Sequence, residues 1–303
     1  MATLYNQKDS NIRRTWFLMT LFFVVVIGIG WVFSRVYGNP GILAVFVVFS
    51  VFMNILSYWY SDKIVLKISR AKEIKHEDNR ELYHIVENLA ISSGLPTPRL
   101  YLIDEAAPNA FATGRNPEHA VVAVTRGLLE RLDRSELEGV LAHEFSHIGN
   151  RDMLLSTVVV VLIGFVALLS DFFLRSNMFG ISKSRDDNGK AGGVLILVGI
   201  IMAILAPIAL NLMQLAISRK REFLADASGA FLTRYPEGLA KALEKIASDP
   251  TPLRVANKAT NHLWVSSPVK NGFDKLTTRN LSAFFSTHPP IEERVKRLRE
   301  MNV

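Results

Sequence analysis

Four near-continuous apolar stretches punctuate the chain: Trp16 to Phe33, Gly41 to Tyr60, Leu154 to Leu169 and Val194 to Ile217, each without a charged residue. A helix that crosses roughly 30 Å of hydrocarbon needs about 17–25 apolar residues, and the first, second and fourth stretches meet that requirement. The third is marginal. Uncharged from Met153 to Ser170, it suits a short helix that crosses, re-enters or packs against its neighbours. The pattern divides the chain into an N-terminal hairpin, residues 1–60, with spans at 16–33 and 41–60; the first half of a polar domain, residues 61–153; a second hydrophobic hairpin, residues 154–217, with stretches at 154–169 and 194–217; and a second polar half, residues 218–303. Arg13 and Arg14 before the first stretch imitate a signal peptide. The apolar core is longer than a signal core, no Ala-x-Ala site follows, and a second span begins almost at once, so a retained anchor is expected.

Within the first polar half, Leu82, Ile85, Val86 and Leu89 recur at helical spacing. Asp78 is the expected cap of that helix, and Gly94 with Pro96 its stop. Arg99 to Ile103 and Ala120 to Thr125 are short and rich in β-branched or aromatic residues, and read as strands of a small sheet. Ser135 with Glu138 carries a capping-box pattern that opens the next helix. The expected fold is mainly α with a small β-sheet, attached to several membrane spans.

Composition agrees with that division. Hydrophobic residues make up 49% of the chain and the mean hydropathy is +0.21, an excess that the four stretches absorb. Loops rich in Lys and Arg stay on the cytoplasmic side. Lys8, Arg13 and Arg14 precede the first span, Lys63, Lys67, Arg70, Lys72 and Lys75 follow the second, Arg219, Lys220 and Arg221 follow the fourth, and Arg35 alone lies in the first hairpin. Both termini and the polar domain are therefore expected in the cytoplasm. The net charge of +7 sits beside the spans, where anionic lipid accounts for it, and no nucleic-acid-binding module appears. Gly189-Lys190 lacks the rest of a P-loop, so ATP is not expected as a partner. With no cysteine in the chain, a bound metal must rely on histidine and carboxylate ligands.

The chemistry concentrates in His143-Glu144-Phe145-Ser146-His147. Residues four apart share one face of a helix, so both imidazoles can reach one metal while Glu144 stands beside them as a base. A catalytic zinc keeps three protein ligands and one open position. Met153 occupies the place where an extended motif would carry a third histidine, which directs the search downstream to Glu222 and Asp226, again four apart. One of these carboxylates can bind the metal while the other accepts a hydrogen bond from a ligand imidazole; surface pairing with Arg219, Lys220 and Arg221 is the plainer alternative.

These motifs, together with Asn150-Arg151-Asp152, Glu222-Phe223-x-Ala225-Asp226-x-x-Gly229, the segment Asn109 to Gly114, the residues around His262-Leu263-Trp264 and Thr287-His288-Pro289-Pro290, resemble the HtpX membrane proteases, relatives of the CAAX prenyl endopeptidases, over essentially the whole chain. The resemblance implies a zincin-like (gluzincin) catalytic domain, one Zn2+ per chain on His143, His147 and Glu222, Glu144 as base and Asp226 in the outer shell. It further implies a multi-pass protein of the bacterial plasma membrane that removes misfolded or unfolded membrane proteins under stress. His288 is a candidate oxyanion donor by the same resemblance, or else the cap of the last helix. Asn109, Ala110, Phe111 and Ala112 are candidate substrate-binding residues on a sheet edge, or else a loop. A prenyl-protein processing peptidase would share the zinc site but enclose a chamber with more spans. A non-enzymatic membrane scaffold would line its spans with ionisable groups, where only Asn54, Asn211 and Gln214 stand out.

Overall fold

One buried stripe organises the N-terminal helix. Asn11, Thr15, Leu18, Phe22, Val26, Ile29 and Phe33, spaced three or four apart, all face the protein. Trp16, Phe17, Val24 and Trp31 lie on the other side, each more than half exposed. These are features of a computed structural model that describes residues 4–162, 164–165, 219–255, 263–265 and 289–302. Helix α1 (Leu4–Tyr37) begins well before the apolar stretch. Gly38, with φ of 62°, turns the chain, and the Asn39 side chain accepts from Gly41 N at 2.9 Å to start α2 (Pro40–Ile68) with proline in its first turn.

Helix α2 also outruns its apolar stretch, ending at Ile68 rather than Tyr60, because hydropathy measures the depth of a membrane and not the end of a helix. Its last turns carry Val65 and Leu66 into a core with Ile103, Phe111, Val121, Ala123 and Trp264. By length and composition both helices can cross a membrane. The described start of the third stretch is α6 (Asp152–Leu162). Its Leu154, Leu155, Val158, Val159 and Leu162 pack against Leu18, Met19, Phe22 and Met53 of the first two helices. Residues 166–218, which hold the fourth stretch, lie outside the described residues.

The sheet is mixed, with order β1-β2-β4-β3: β1 (Lys72–Glu73), β2 (Arg99–Ile103), β3 (Ala110–Thr113) and β4 (Val121–Thr125). β2 and β4 run parallel, the outer pairs antiparallel. β4 is buried along its whole length because both faces are covered: Val122 and Val124 face the main core, and Val121 and Ala123 face the α2 side. The helices α3 (Arg80–Ser93), α4 (Arg126–Arg131), α5 (Arg134–Gly149), α7 (Arg219–Thr233), α8 (Pro236–Ser248) and α9 (Ile291–Arg299), with a short 3-10 turn at Pro117–His119, complete the described elements.

Two expected caps are corrected. Asn79, not Asp78, caps α3 by accepting from Leu82 N at 3.0 Å, while Asp78 accepts from Lys75 N and closes the preceding turn. The capping box of α5 is Asp133 with Glu136, not Ser135 with Glu138. Asp133-Arg134-Ser135-Glu136-Leu137-Glu138 holds two overlapping frames, and the pairing of the buried Glu136 carboxylate with the exposed Lys245 of α8, at 2.6 Å, favours the first. Gly94, left-handed at φ 67°, ends α3 where expected.

Candidate metal centre

Helix α5 crosses α7 so closely that a Cβ on Gly229 would lie 2.9 Å from His143 N. That approach sets Glu222 and Asp226 opposite the two histidines. His143 Nε2 and His147 Nε2 stand 3.2 Å apart, and each faces the Glu222 carboxylate, at 3.8 and 3.7 Å. One ligand atom from each of the three residues falls within 4.8 Å of the others. Two imidazoles and a carboxylate converging on one point could hold a metal ion, and nitrogen and oxygen donors of this kind suit zinc.

The remaining ring nitrogens meet carboxylates. His143 Nδ1 lies 2.9 Å from Asp226 Oδ1, off the line of a straight hydrogen bond. His147 Nδ1 lies 3.1 Å from Asp152 Oδ2. Such partners fix which nitrogen is free to ligate. Asp226 is in turn gripped by Arg294 of α9, whose Nε and Nη2 donate to its two oxygens at 2.8 and 2.6 Å. Asp152 reaches His147 because Arg151, at φ 56°, takes a left-handed turn between α5 and α6.

Charge in this pocket is set by burial and by these pairings. Burial lifts the Glu144 carboxyl to about 7, against the favourable charge of His147 and a hydrogen bond from the Ala112 backbone N–H. Burial also pulls down His147, yet the Asp152 hydrogen bond and the charges of Glu222 and Asp152 outweigh it and raise that ring to about 9. His143, shielded from solvent, is lowered. Burial opposes ionisation of Asp226, but the Arg294 guanidinium overrides it and holds the carboxyl at about 2. Were His143, His147 and Glu222 to hold a metal, His147 would have to give up its proton first. The metal's apparent affinity should weaken about tenfold per pH unit as pH falls below about 9, measured by chelator competition between pH 6.5 and 8.5; an affinity flat with pH would show that the ring carries no such proton.

The edge segment is a strand, not a loop. β3 is the sheet's last strand, and its residues are buried on both faces, with Phe111 packed edge-to-face on Trp264 at 4.9 Å between ring centroids. The Phe111 side chain is thus core. What β3 presents outward is backbone: Ala110 O accepts from Val265 N at 3.0 Å, and the Ala112 N–H meets Glu144. Asn109 turns the chain into the strand, its N donating to Thr125 Oγ1 at 2.9 Å. His288 and His262 lie outside the described residues.

Arg294 was not anticipated from the sequence, although Ile291, Arg294, Val295 and Leu298 share one helical face and an arginine on an apolar stripe asks for a buried partner. Asp152 stood within a quoted motif without a role.

Peptidase family M48 matches residues 76–302. The chain is 44% identical over 305 residues to a protease HtpX homolog of Caldanaerobacter subterraneus subsp. tengcongensis, with 99% of each chain covered. A protease HtpX homolog of Syntrophobacter fumaroxidans is 47% identical over 294 residues, covering 96% of this chain and 99% of its own. The crystal structure of S. mikatae Ste24p superposes with a TM-score of 0.51 at 19% identity, a likeness of fold. It covers 93% of this chain, which spans 62% of the length of Ste24p.

Proposed function

The chain belongs to peptidase family M48 and to its HtpX branch, and from the premise of a membrane-bound metallopeptidase we propose that it is a zinc endopeptidase that hydrolyses unfolded or misfolded membrane proteins at the cytoplasmic face of a bacterial plasma membrane, as part of quality control under stress. The observation that carries the reading is the convergence of His143, His147 and Glu222 within 4.8 Å beside the buried Glu144. In it, these three residues hold one zinc ion, Asp226 and Asp152 orient the two rings, and the domain is a gluzincin. Bound there, zinc would polarise a peptide carbonyl and acidify a water.

Glu144 takes the proton of the attacking water and delivers it to the departing amine. An extended substrate lies along β3, where backbone pairing recognises unfolded chain with little regard to side chains. A strand added there would take over Ala110 O from Val265 N and the Ala112 N–H from Glu144, and so would run past the base as it frees it. His288 is proposed as the oxyanion donor.

Topology follows the positive charges, with both termini and the catalytic domain inside and residues 194–217 as a further span. Trp16 and Trp31 lie roughly 22 Å apart along α1 and mark two interfacial belts, the first level with α2 through the stacking of Trp16 on Tyr58 at 5.9 Å. His147 lies about seven residues before the third stretch and Glu222 about five after the fourth, so cleavage takes place close to the bilayer. The test is purification in detergent with chelator, then zinc addition while cleavage of casein is followed. Zinc-dependent cleavage is expected; a protein that binds zinc yet cleaves nothing would favour a scaffold with a structural metal.

A further inference from the structure

We propose that Asn11 of the N-terminal membrane helix is a positioning residue of the metal centre, so that the first span is a working part of the site as well as its anchor. The proposal rests on the metallopeptidase reading above and extends it to a residue far from the zinc-binding motif. Asn11 is 1% exposed and is the first polar position of the buried stripe on α1. Its Nδ2 donates to Asn150 O at 3.0 Å and to Asp152 Oδ1, and its Oδ1 accepts from Arg221 Nη1 at 3.3 Å. One neutral amide thereby touches the end of α5, the start of α6 and the first turn of α7, the three elements that carry His147, Asp152 and Glu222.

The consequence for His147 follows from how Asp152 divides its oxygens. Oδ2 faces His147 Nδ1 at 3.1 Å, and Oδ1 is held by Asn11, with Arg221 Nε at 3.7 Å. With the Asn11 amide in place, both oxygens are committed and the carboxylate cannot rotate. Without it, Oδ1 is left with the longer contact to Arg221 at 3.7 Å, the carboxylate is free to turn, and His147 loses the fixed partner that aims its Nε2. An amide suits the post because it donates to one group and accepts from the other without adding charge to a pocket already balanced between carboxylates and guanidinium groups. Partners of this kind typically contribute 10–100-fold to metal affinity.

The measurement is the zinc dissociation constant of the full chain in detergent, by competition with a chromogenic chelator, for the parent, Asn11→Leu and Leu18→Ala. Leu18 is a fully buried residue of the same stripe that packs on α6 without touching the polar network. Asn11→Leu should weaken zinc by about tenfold, whereas Leu18→Ala should lower the thermal midpoint and leave zinc affinity within about twofold of the parent. Unchanged affinity in Asn11→Leu, or equal weakening in Leu18→Ala, would overturn the proposal. Should Asn11→Leu fail to fold, Asn11→Ala adds no bulk and is held to the same outcomes. Zinc held equally by the parent and by His143→Ala would overturn the metal-centre reading and this proposal with it, a result distinct from normal affinity in the Asn11 variants alone.

Discussion

Glu144→Gln should lower turnover by about 10²–10⁴-fold with metal content unchanged. The amide keeps the volume of the side chain and can still accept from the Ala112 N–H, so the helix face that presents His143 and His147 stays as it is. What it lacks is the capacity to take a proton from water. The same substitution carries a second signature in metal-free protein. A carboxyl raised to about 7 by burial, from an ordinary 4.5, destabilises the fold progressively as pH rises from 4.5 to 7, by on the order of 3 kcal/mol once fully ionised. Glutamine removes that penalty. The metal-free variant should therefore melt at a higher temperature than the parent at pH 8, with the gain shrinking as pH falls towards 4.5. Parental turnover in zinc-loaded Glu144→Gln would exclude Glu144 as the base, and an unchanged melting temperature at pH 8 would exclude its buried, raised state.

Legibility in the sequence tracked the distance over which each interaction acts. His143, Glu144 and His147 lie within one helical turn, and their spacing alone brings them together. β4 was readable because its β-branched residues are buried on both faces, and β2 because Leu100 to Ile103 form a short apolar and aromatic run with Leu100 and Ile103 buried. β1 was not, since Lys72 and Glu73 are exposed and become a strand only by pairing with Leu102 and Tyr101. The cap of α5 was misread by two residues because the deciding partner, Lys245, is 109 positions away. The ends of α1 and α2 were missed for a related reason: each helix continues past the apolar stretch to deliver Asn11 at one end and Val65 and Leu66 at the other into the domain. Local pattern singled out His143, Glu144 and His147, while Arg294 and Asn11 reach the same pocket through contacts 68 to 210 positions apart.

Of those remote contacts, Arg294 to Asp226 should matter most to the fold. The arginine is 1% exposed, its guanidinium makes two bonds to Asp226 and a third to Val265 O at 3.0 Å, and Glu222 Oε2 lies 3.8 Å away. Arg294→Met leaves the Asp226 charge buried without compensation, and removing one partner of such a pair costs about 3–5 kcal/mol. It also frees the carboxylate that faces His143, so zinc affinity should fall by about 10–100-fold. Arg294→Lys should rescue little, because a single ammonium cannot reproduce the planar two-bond grip or reach Val265 at the same time. The deciding comparison is the double variant Asp226→Leu with Arg294→Met. If the damage in each single variant comes from the stranded charge, thermal unfolding should show the double to be more stable than either. Zinc affinity should stay low in the double, since His143 has still lost its carboxylate. Additive losses of stability would mean that packing around α9 matters and the ion pair does not.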